Sequence, residues 1–175
     1  SAASDVYKRQ GQVQALVIGG GPAGLMAAEA LATQGHRVVV AEAMPTPARK
    51  FLMAGKSGLN LTKAEGLADF TAHYGGSAPV LRTPPGYLDK KELGPDEVMD
   101  WARGLGIALF TGSTGRVFPV GMKASPLLRA WLARLSELGV DLRTRWRWEG
   151  FQGDGWLFRT CLLYTSDAAD ERPSV

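Results

Sequence analysis

A glycine-rich hexapeptide near the start of the chain has the spacing needed to hold phosphate. Residues 19–24 read GGGPAG, which fits the pattern GxGxxG, and an acidic residue, Glu42, follows downstream. Glycines let backbone N–H groups approach a phosphate, and a carboxylate accepts hydrogen bonds from ribose hydroxyls while repelling a 2′-phosphate. This spacing predicts binding of the pyrophosphate and ribose of a dinucleotide.

The sequence around the hexapeptide predicts the elements that would position these groups. The apolar run at 15–18 indicates a buried strand, and the Ala/Leu-rich segment 22–34 indicates a helix that Gly35 ends. Residues 37–41 indicate a second strand with Glu42 at its end. Strand, turn, helix and strand in this order are far more specific than the hexapeptide alone.

Each position of the hexapeptide has its own physical role. Gly19 permits a tight turn, Gly21 leaves room for a pyrophosphate, and Gly24 lets the helix pack closely on the sheet. Pro22 and Ala23 occupy the first helical turn, where the missing N–H of proline costs nothing. The alternative is a plain β-α-β unit whose glycine turn binds no ligand.

The segment 44–62, MPTPARKFLMAGKSGLNLT, is poorly periodic but rich in polar chemistry. Its cations Arg49, Lys50 and Lys56 would lie close to the expected ribose and pyrophosphate. The other positions able to turn the chain or contact a ligand are Gly58, Asn60 and Thr62. Two interpretations stay open on these residues alone: a second cofactor-contacting loop, or a solvated basic loop.

Composition excludes several classes of protein. The 175 residues carry a formal net charge of +3 and are 45% hydrophobic, which is typical of a globular domain and too mild to indicate nucleic acid. No apolar run reaches the roughly 18–20 residues of a membrane span, and no secretory signal is visible, so we expect a cytoplasmic protein. His36 and His73 lack partners at metal-ligand spacing, so no metal site is expected. No Ser-His-Asp set or paired carboxylate is identified, so no catalytic residue is predicted.

The two ends of the chain have an unusual relationship. Residues 1–10 read SAASDVYKRQ and residues 161–169 read CLLYTSDAA. One choice of codons makes the DNA of the first string the reverse complement of the second, as in a sequencing adapter read in both directions. We therefore expect residues 1–10 and 161–175 to be adapter-derived tails. Residues 11–160 would then be a genuine insert, without the only cysteine, Cys161.

The rest of the chain predicts alternating helices and strands. Turn residues and apolar periodicity predict a short helix at 65–74, a loop at 75–88, a helix at 95–105, a hairpin of 107–110 with 116–118, a helix at 125–138, and strands at 140–148 and 156–159. Basic and apolar residues interleave in the strand at 140–148. They are Leu142, Arg143, Arg145, Trp146, Arg147 and Trp148. This alternation fits one exposed and one buried face better than a nucleic-acid surface.

Four stretches together resemble one flavoprotein group. They are the GGGPAG hexapeptide, ARKFLMAGKSGLNLT at 48–62, GRVFP at 115–119 and MKASPLL at 122–128. They are similar to the YhiN/BaiN-like proteins, also called aminoacetone oxidase-like proteins or NAD(FAD)-utilizing dehydrogenases. The resemblance implies an α/β fold, a Rossmann-like FAD/NAD(P)-binding domain of the glutathione-reductase class. It also implies that residues 11–160 are only the N-terminal part of that domain, truncated before its later strands.

The resemblance implies FAD as cofactor. The cofactor-binding residues expected on this basis are Gly19, Gly21, Pro22, Ala23, Gly24, Glu42, Ala43, Arg49, Lys50, Gly58, Asn60, Leu61 and Thr62. It also places Arg116 and Lys123 near the cofactor, although as sequence they could simply belong to a hairpin and a helix start. Many relatives have cysteine where this chain has Leu59, so no redox thiol is expected there.

The function expected on this basis is hydride transfer through FAD in an oxidoreductase, with NAD(P)H as a potential co-substrate. The fragment alone is expected to be inactive. The partners would be a small-molecule substrate, with no nucleic acid and no membrane, and the oligomeric state is not predicted. One alternative is an NAD-binding dehydrogenase, against which the loop at 49–62 argues. Another is a flavoprotein with a structural or RNA-modification role.

Overall fold

The computed structural model of the protein describes residues 13–75, 93–153 and 155–160. The expected adapter tails and nearly all of the predicted loop at 75–88 lie outside the described residues. In chain order the elements are β1 (Ala15–Ile18), α1 (Pro22–Thr33), β2 (Val38–Glu42), α2 (Arg49–Ala54), β3 (Thr62–Lys63), α3 (Leu67–Ala72), α4 (Pro95–Gly104), β4 (Leu109–Thr111), β5 (Arg116–Pro119), α5 (Ala124–Glu137), β6 (Asp141–Thr144), β7 (Trp146–Gln152) and β8 (Gly155–Thr160).

A parallel sheet of three strands, ordered β1-β2-β6, confirms the predicted β-α-β unit. Its register aligns Ala15 with Val38 on one side of β2 and Val40 with Leu142 on the other. The apolar residues of β2 are buried, as expected for a central parallel strand. Glu42 therefore emerges at the carboxyl edge of the sheet, the edge at which ligands bind in open α/β sheets.

Helices α1 and α5 cover the sheet and share one hydrophobic core. Leu25 of α1, Val40 of β2, and Leu127 and Trp131 of α5 are each no more than 2% exposed. The apolar positions of α5 recur at helical spacing, so one face of the helix is buried. This packing holds the start of α1 in a fixed position against the ends of β1 and β2.

A second sheet, antiparallel and ordered β3-β5-β4, contains the predicted hairpin of β4 and β5. In β3, Thr62 pairs with Val117 and Lys63 pairs with Arg116. The loop after α2 therefore ends as an edge strand of this sheet. Strands β7 and β8 form a separate two-stranded hairpin.

The prediction of one continuous strand at 140–148 is wrong. Arg145 has φ 61, a left-handed conformation that ends β6, and its N–H donates to the carbonyl of Met44 at 3.1 Å. Strand β6 belongs to the parallel sheet and β7 to the hairpin. The predicted alternation of buried and exposed faces is wrong for the same reason, because Arg143 is partly buried and Trp148 is 40% exposed.

Within the described ranges, no helix combines the length and the apolar character needed to cross a bilayer.

Candidate functional site

The glycine turn, residues 19–24, joins β1 to α1 in a conformation that requires glycine at two positions. Gly19 has φ +101, and its N–H donates to the carbonyl of Ala41 at 2.8 Å. A Cβ on Gly24 would lie 1.9 Å from the carbonyl oxygen of Gly19. A Cβ on Gly21, in contrast, would meet no atom of the protein within 4 Å. Gly21 is therefore not needed for packing, and the space beside it is open to a ligand.

No side chain of the described residues caps the first turn of α1. Gly21 is the N-cap residue, Pro22 begins the helix, no side chain caps it, and no acidic residue lies in the first turn. The first N–H groups of a helix have no partner inside the helix and form the positive end of its dipole. This terminus is therefore free to bind an anion, as phosphates do in dinucleotide-binding folds.

Glu42 braces the glycine turn. Its Oε2 accepts a hydrogen bond from the N–H of Gly20, and its Oε1 accepts one from the N–H of Met44, both at 2.7 Å. A carboxylate has about four acceptor positions, so these two bonds leave capacity for ribose hydroxyls. The side chain thus has a structural role beside the predicted binding role.

Both backbone polar groups of Gly20 make hydrogen bonds. Its carbonyl accepts a hydrogen bond from the N–H of Ala48 at 2.8 Å, while its N–H binds Glu42. Ala48 is buried and left-handed, with φ 53, and comes directly before α2. The glycine turn and the start of α2 are therefore connected by backbone hydrogen bonds.

These elements enclose a cleft of about 470 Å³, which we call the nucleotide cleft. Of the predicted site residues, it is lined by Gly21, Pro22, Glu42, Arg49 and Lys50. The sequence reasoning missed four further lining residues, Met44, Thr46, Ala48 and Met53. Met44, Thr46 and Ala48 belong to the connection after β2, and Met53 belongs to α2. For the first three, their position after a carboxyl strand end was the signal that could have identified them.

The charge of the nucleotide cleft is positive. Arg49 and Lys50 are exposed, and neither makes an ion pair within the described part of the chain. Glu42 is the single carboxylate among the residues that line the cleft. Two cations beside a free helix N-terminus favour a ligand with more than one negative charge.

The structure divides the predicted site residues between two places. Asn60, Leu61 and Thr62 do not line the nucleotide cleft. Instead they line a second cavity of about 400 Å³, between the antiparallel sheet and α3. The other predicted positions, Gly19, Ala23, Gly24, Ala43 and Gly58, line neither space.

The second cavity contains an ion-pair cluster that the sequence did not reveal. Glu65 receives a hydrogen bond from Nζ of Lys63 and lies 3.5 Å from Nε2 of His73. The hydrogen bond and charge of Lys63, with the charge of His73, lower the pKa of Glu65 below its usual value of 4.5. His73, from which the sequence predicted no role, thus contacts a carboxylate. In the described segments, no three metal-binding side chains come together.

Of the two remaining positions, Arg116 lines the second cavity from β5, and Lys123 is the exposed N-cap residue of α5. Leu59 is 5% exposed, and its N–H donates to the carbonyl of Met122 at 3.0 Å. Leucine therefore occupies a packed position rather than a reactive one.

Several solved structures resemble the chain at low sequence identity. A flavocytochrome c3 fumarate reductase matches with a TM-score of 0.50 and 18% identity, over 78% of this chain and 27% of that chain. THI4 from Thermovibrio ammonificans matches with a TM-score of 0.48 and 14% identity, over 83% of this chain and 45% of that chain. A 3-ketosteroid dehydrogenase from Rhodococcus jostii RHA1 matches with a TM-score of 0.48 and 15% identity, over 84% of this chain and 40% of that chain. The chain thus spans less than half the length of each.

A sequence comparison assigns the family. The model of the HI0933-like protein Rossmann domain matches residues 13–165, which include every element from β1 to β8. The predicted fold class, a Rossmann-like α/β domain, is confirmed. The chain belongs to the HI0933-like family, an FAD-binding family related to the YhiN/BaiN-like group.

Proposed function

We propose that this chain is the FAD-binding N-terminal part of an oxidoreductase that transfers hydride through FAD to or from a small molecule. The observation that carries the proposal is the nucleotide cleft. In it, an uncapped helix N-terminus, an open space at Gly21, two unpaired cations and the carboxylate of Glu42 converge. A dinucleotide has the matching groups, which are a pyrophosphate and a ribose.

The residues of the cleft fit FAD better than NADP. The N–H groups of α1 and the cations Arg49 and Lys50 would bind the pyrophosphate. The remaining acceptor positions of Glu42 would bind the adenosine ribose, and its negative charge would repel a 2′-phosphate. FAD has no 2′-phosphate. When bound, it supplies the hydride chemistry, while the protein supplies binding, orientation and electrostatics.

The first experiment is a titration of the purified chain with FAD, followed by flavin fluorescence. We expect saturable binding that Gly21→Val weakens by about tenfold or more, since a side chain there would occupy the space of the pyrophosphate. Gly121→Val is the matched control, because a Cβ at Gly121 also meets no atom within 4 Å and lies outside the cleft.

The outcomes separate the alternatives. A chain that binds NAD as tightly as FAD would favour the dehydrogenase alternative. A chain whose FAD affinity is unchanged by Gly21→Val would exclude the cleft as the site.

The hydride step needs the complete gene product around this sequence. We expect that protein to be yellow when purified, with flavin absorbance bands. Bleaching of the bands by NADH or NADPH would identify the co-substrate, and bleaching by neither would assign the reductant role to an organic substrate. A colourless protein that ignores added FAD would overturn the proposal. Binding to RNA at low salt with a steep salt dependence would instead support the RNA-related alternative.

A further inference from the structure

We infer that the second cavity binds an organic carboxylate with an apolar body, and that Arg116 is its charged anchor. The inference rests on the proposed function, because the carboxylate would be the small molecule oxidised or reduced beside the flavin. It goes beyond that function by naming the class of substrate and a residue that selects it.

The charge of Arg116 is the first feature that favours an anionic ligand. Arg116 and Lys63 are directly opposite each other in the β3–β5 register, and like charges at such positions destabilise a sheet. Lys63 is neutralised by Glu65. Arg116 makes no ion pair in the described part of the chain. Of these two opposed cations, only Arg116 is therefore left without a carboxylate in the described part of the chain, and it is available to pair with a bound anion.

The second feature is the set of apolar side chains that line the same cavity. The rings of Phe70 and Tyr74 contact each other with centroids 5.1 Å apart, and both line the cavity. Leu93 and Val98 line it as well. A site with apolar side chains and one cation outside the Lys63–Glu65 ion pair fits a ligand with an apolar body and one negative charge. Its volume of about 400 Å³ is within the range of small-molecule pockets.

The third feature is the position of the second cavity beside the loop that follows α2. Asn60 and Thr62, on the loop that follows α2, supply polar groups to the same cavity. Both residues are among those that the family resemblance implies for cofactor binding. A substrate bound in the second cavity would therefore lie next to residues that the resemblance assigns to the cofactor.

The test uses two probes with the same phenylethyl body, 3-phenylpropionate with an anionic end group and 3-phenylpropanol with a neutral one. Each is titrated into the ¹⁵N-labelled chain, and amide chemical shifts are followed. We expect 3-phenylpropionate to shift the amides around Asn60, Thr62 and Arg116, and to bind about tenfold more tightly than the alcohol. Arg116→Gln should remove this preference, while Arg129→Gln, an equal change on the exposed face of α5, should keep it.

Three results would overturn the inference: equal binding of both probes, a preference that survives Arg116→Gln, or shifts that avoid the second cavity. Arg116→Lys keeps the charge and should restore part of the preference, which separates anchoring from a folding defect. FAD is titrated separately. A chain that binds 3-phenylpropionate as expected but does not bind FAD would refute the proposed function and leave the inference about the cavity standing. Displacement of bound 3-phenylpropionate by FAD would assign the second cavity to the cofactor and overturn the inference.

Discussion

The indole Nε1 of Trp131 donates a hydrogen bond of 2.6 Å to Oε2 of Glu29, whose carboxylate is 4% exposed. Nε1 of Trp101 approaches the same oxygen at 3.3 Å, and Arg134 pairs with Oε1 at 3.0 Å. Arg134 also donates to the carbonyl of Gly104. One buried carboxylate on α1 therefore holds α4 and α5 together beneath the sheet.

We predict that Glu29→Ala destabilises the protein by about 3–5 kcal/mol, because it leaves two indole donors and a partly buried guanidinium without their acceptor. Glu29→Gln keeps the shape but loses the charge, so a smaller loss of about 1–3 kcal/mol is expected. Urea unfolding followed by circular dichroism measures both.

Glu137→Gln is the control for this carboxylate, since it makes the same chemical change at an exposed position of α5. It should alter the free energy of unfolding by less than about 0.5 kcal/mol. Equal effects at Glu29 and Glu137 would mean that the buried network contributes nothing to stability.

Gly24→Ala should lower the stability of the fold by about 1–3 kcal/mol, because the new methyl group would overlap the carbonyl of Gly19. Gly121→Ala adds the same group in open space and should have little effect. Thermal melting of both variants measures the difference. Identical melting temperatures would show that α1 does not pack on the turn as closely as the structure indicates.

Glu42→Gln should weaken FAD binding by about tenfold, because its amide keeps one acceptor oxygen and its NH2 group cannot accept the second of the two hydrogen bonds from Gly20 and Met44. It should also improve the relative affinity for NADP, since the charge that repels a 2′-phosphate is gone. Competition between FAD and NADP on the wild type and the variant measures this. An unchanged ratio of affinities would argue that Glu42 only braces the turn.

Arg145→Val should destabilise the protein by about 1–2 kcal/mol, because a β-branched residue is poorly accommodated at a positive φ. Arg147→Val, one position into β7, should be neutral or stabilising, since valine favours a strand. Chemical unfolding of the pair checks the sign. A stabilising Arg145→Val would restore the single continuous strand that the sequence alone predicts.

Glu65 should titrate below its usual pKa of 4.5. Because the folded-state value is depressed, the carboxylate contributes stability above its unfolded pKa and loses that contribution as the pH falls through the folded value. Carbon-detected NMR of the Glu65 carboxyl gives the midpoint directly. Lys63→Met should move the midpoint upward, and an unmoved midpoint would exclude the Lys63 hydrogen bond as its main cause.

The geometry of the glycine turn was predictable because local rules determine it. Gly19, Gly24 and the strand end at Glu42 follow from spacing and backbone sterics within one β-α-β unit. The bracing of Gly20 by Glu42 and Ala48 was not predictable, because it depends on how the connection after β2 returns to the turn.

Longer-range features were harder to predict for a related reason. Glu29 is buried in the same helix as Leu25, Ala28 and Ala32, and the sequence pattern of α1 does not show which distant donors contact it. The break at Arg145 has no local signature, since arginine neither favours nor requires a positive φ. The separation of Asn60 and Thr62 from the nucleotide cleft depends on pairing with β5, which lies far along the chain.

The parallel pairing of β2 with β6 has a kinetic consequence. Val39 aligns with Asp141, so this contact closes a loop of about a hundred residues, and the entropy of that closure delays the third strand of the sheet. The β7–β8 hairpin closes locally, and it carries Phe151 and Trp156 at 68% and 50% exposure. We expect this aromatic hairpin to form before the sheet is complete during refolding, because its closure is local. Aggregation of early intermediates is therefore expected to depend on protein concentration and to begin at these two side chains.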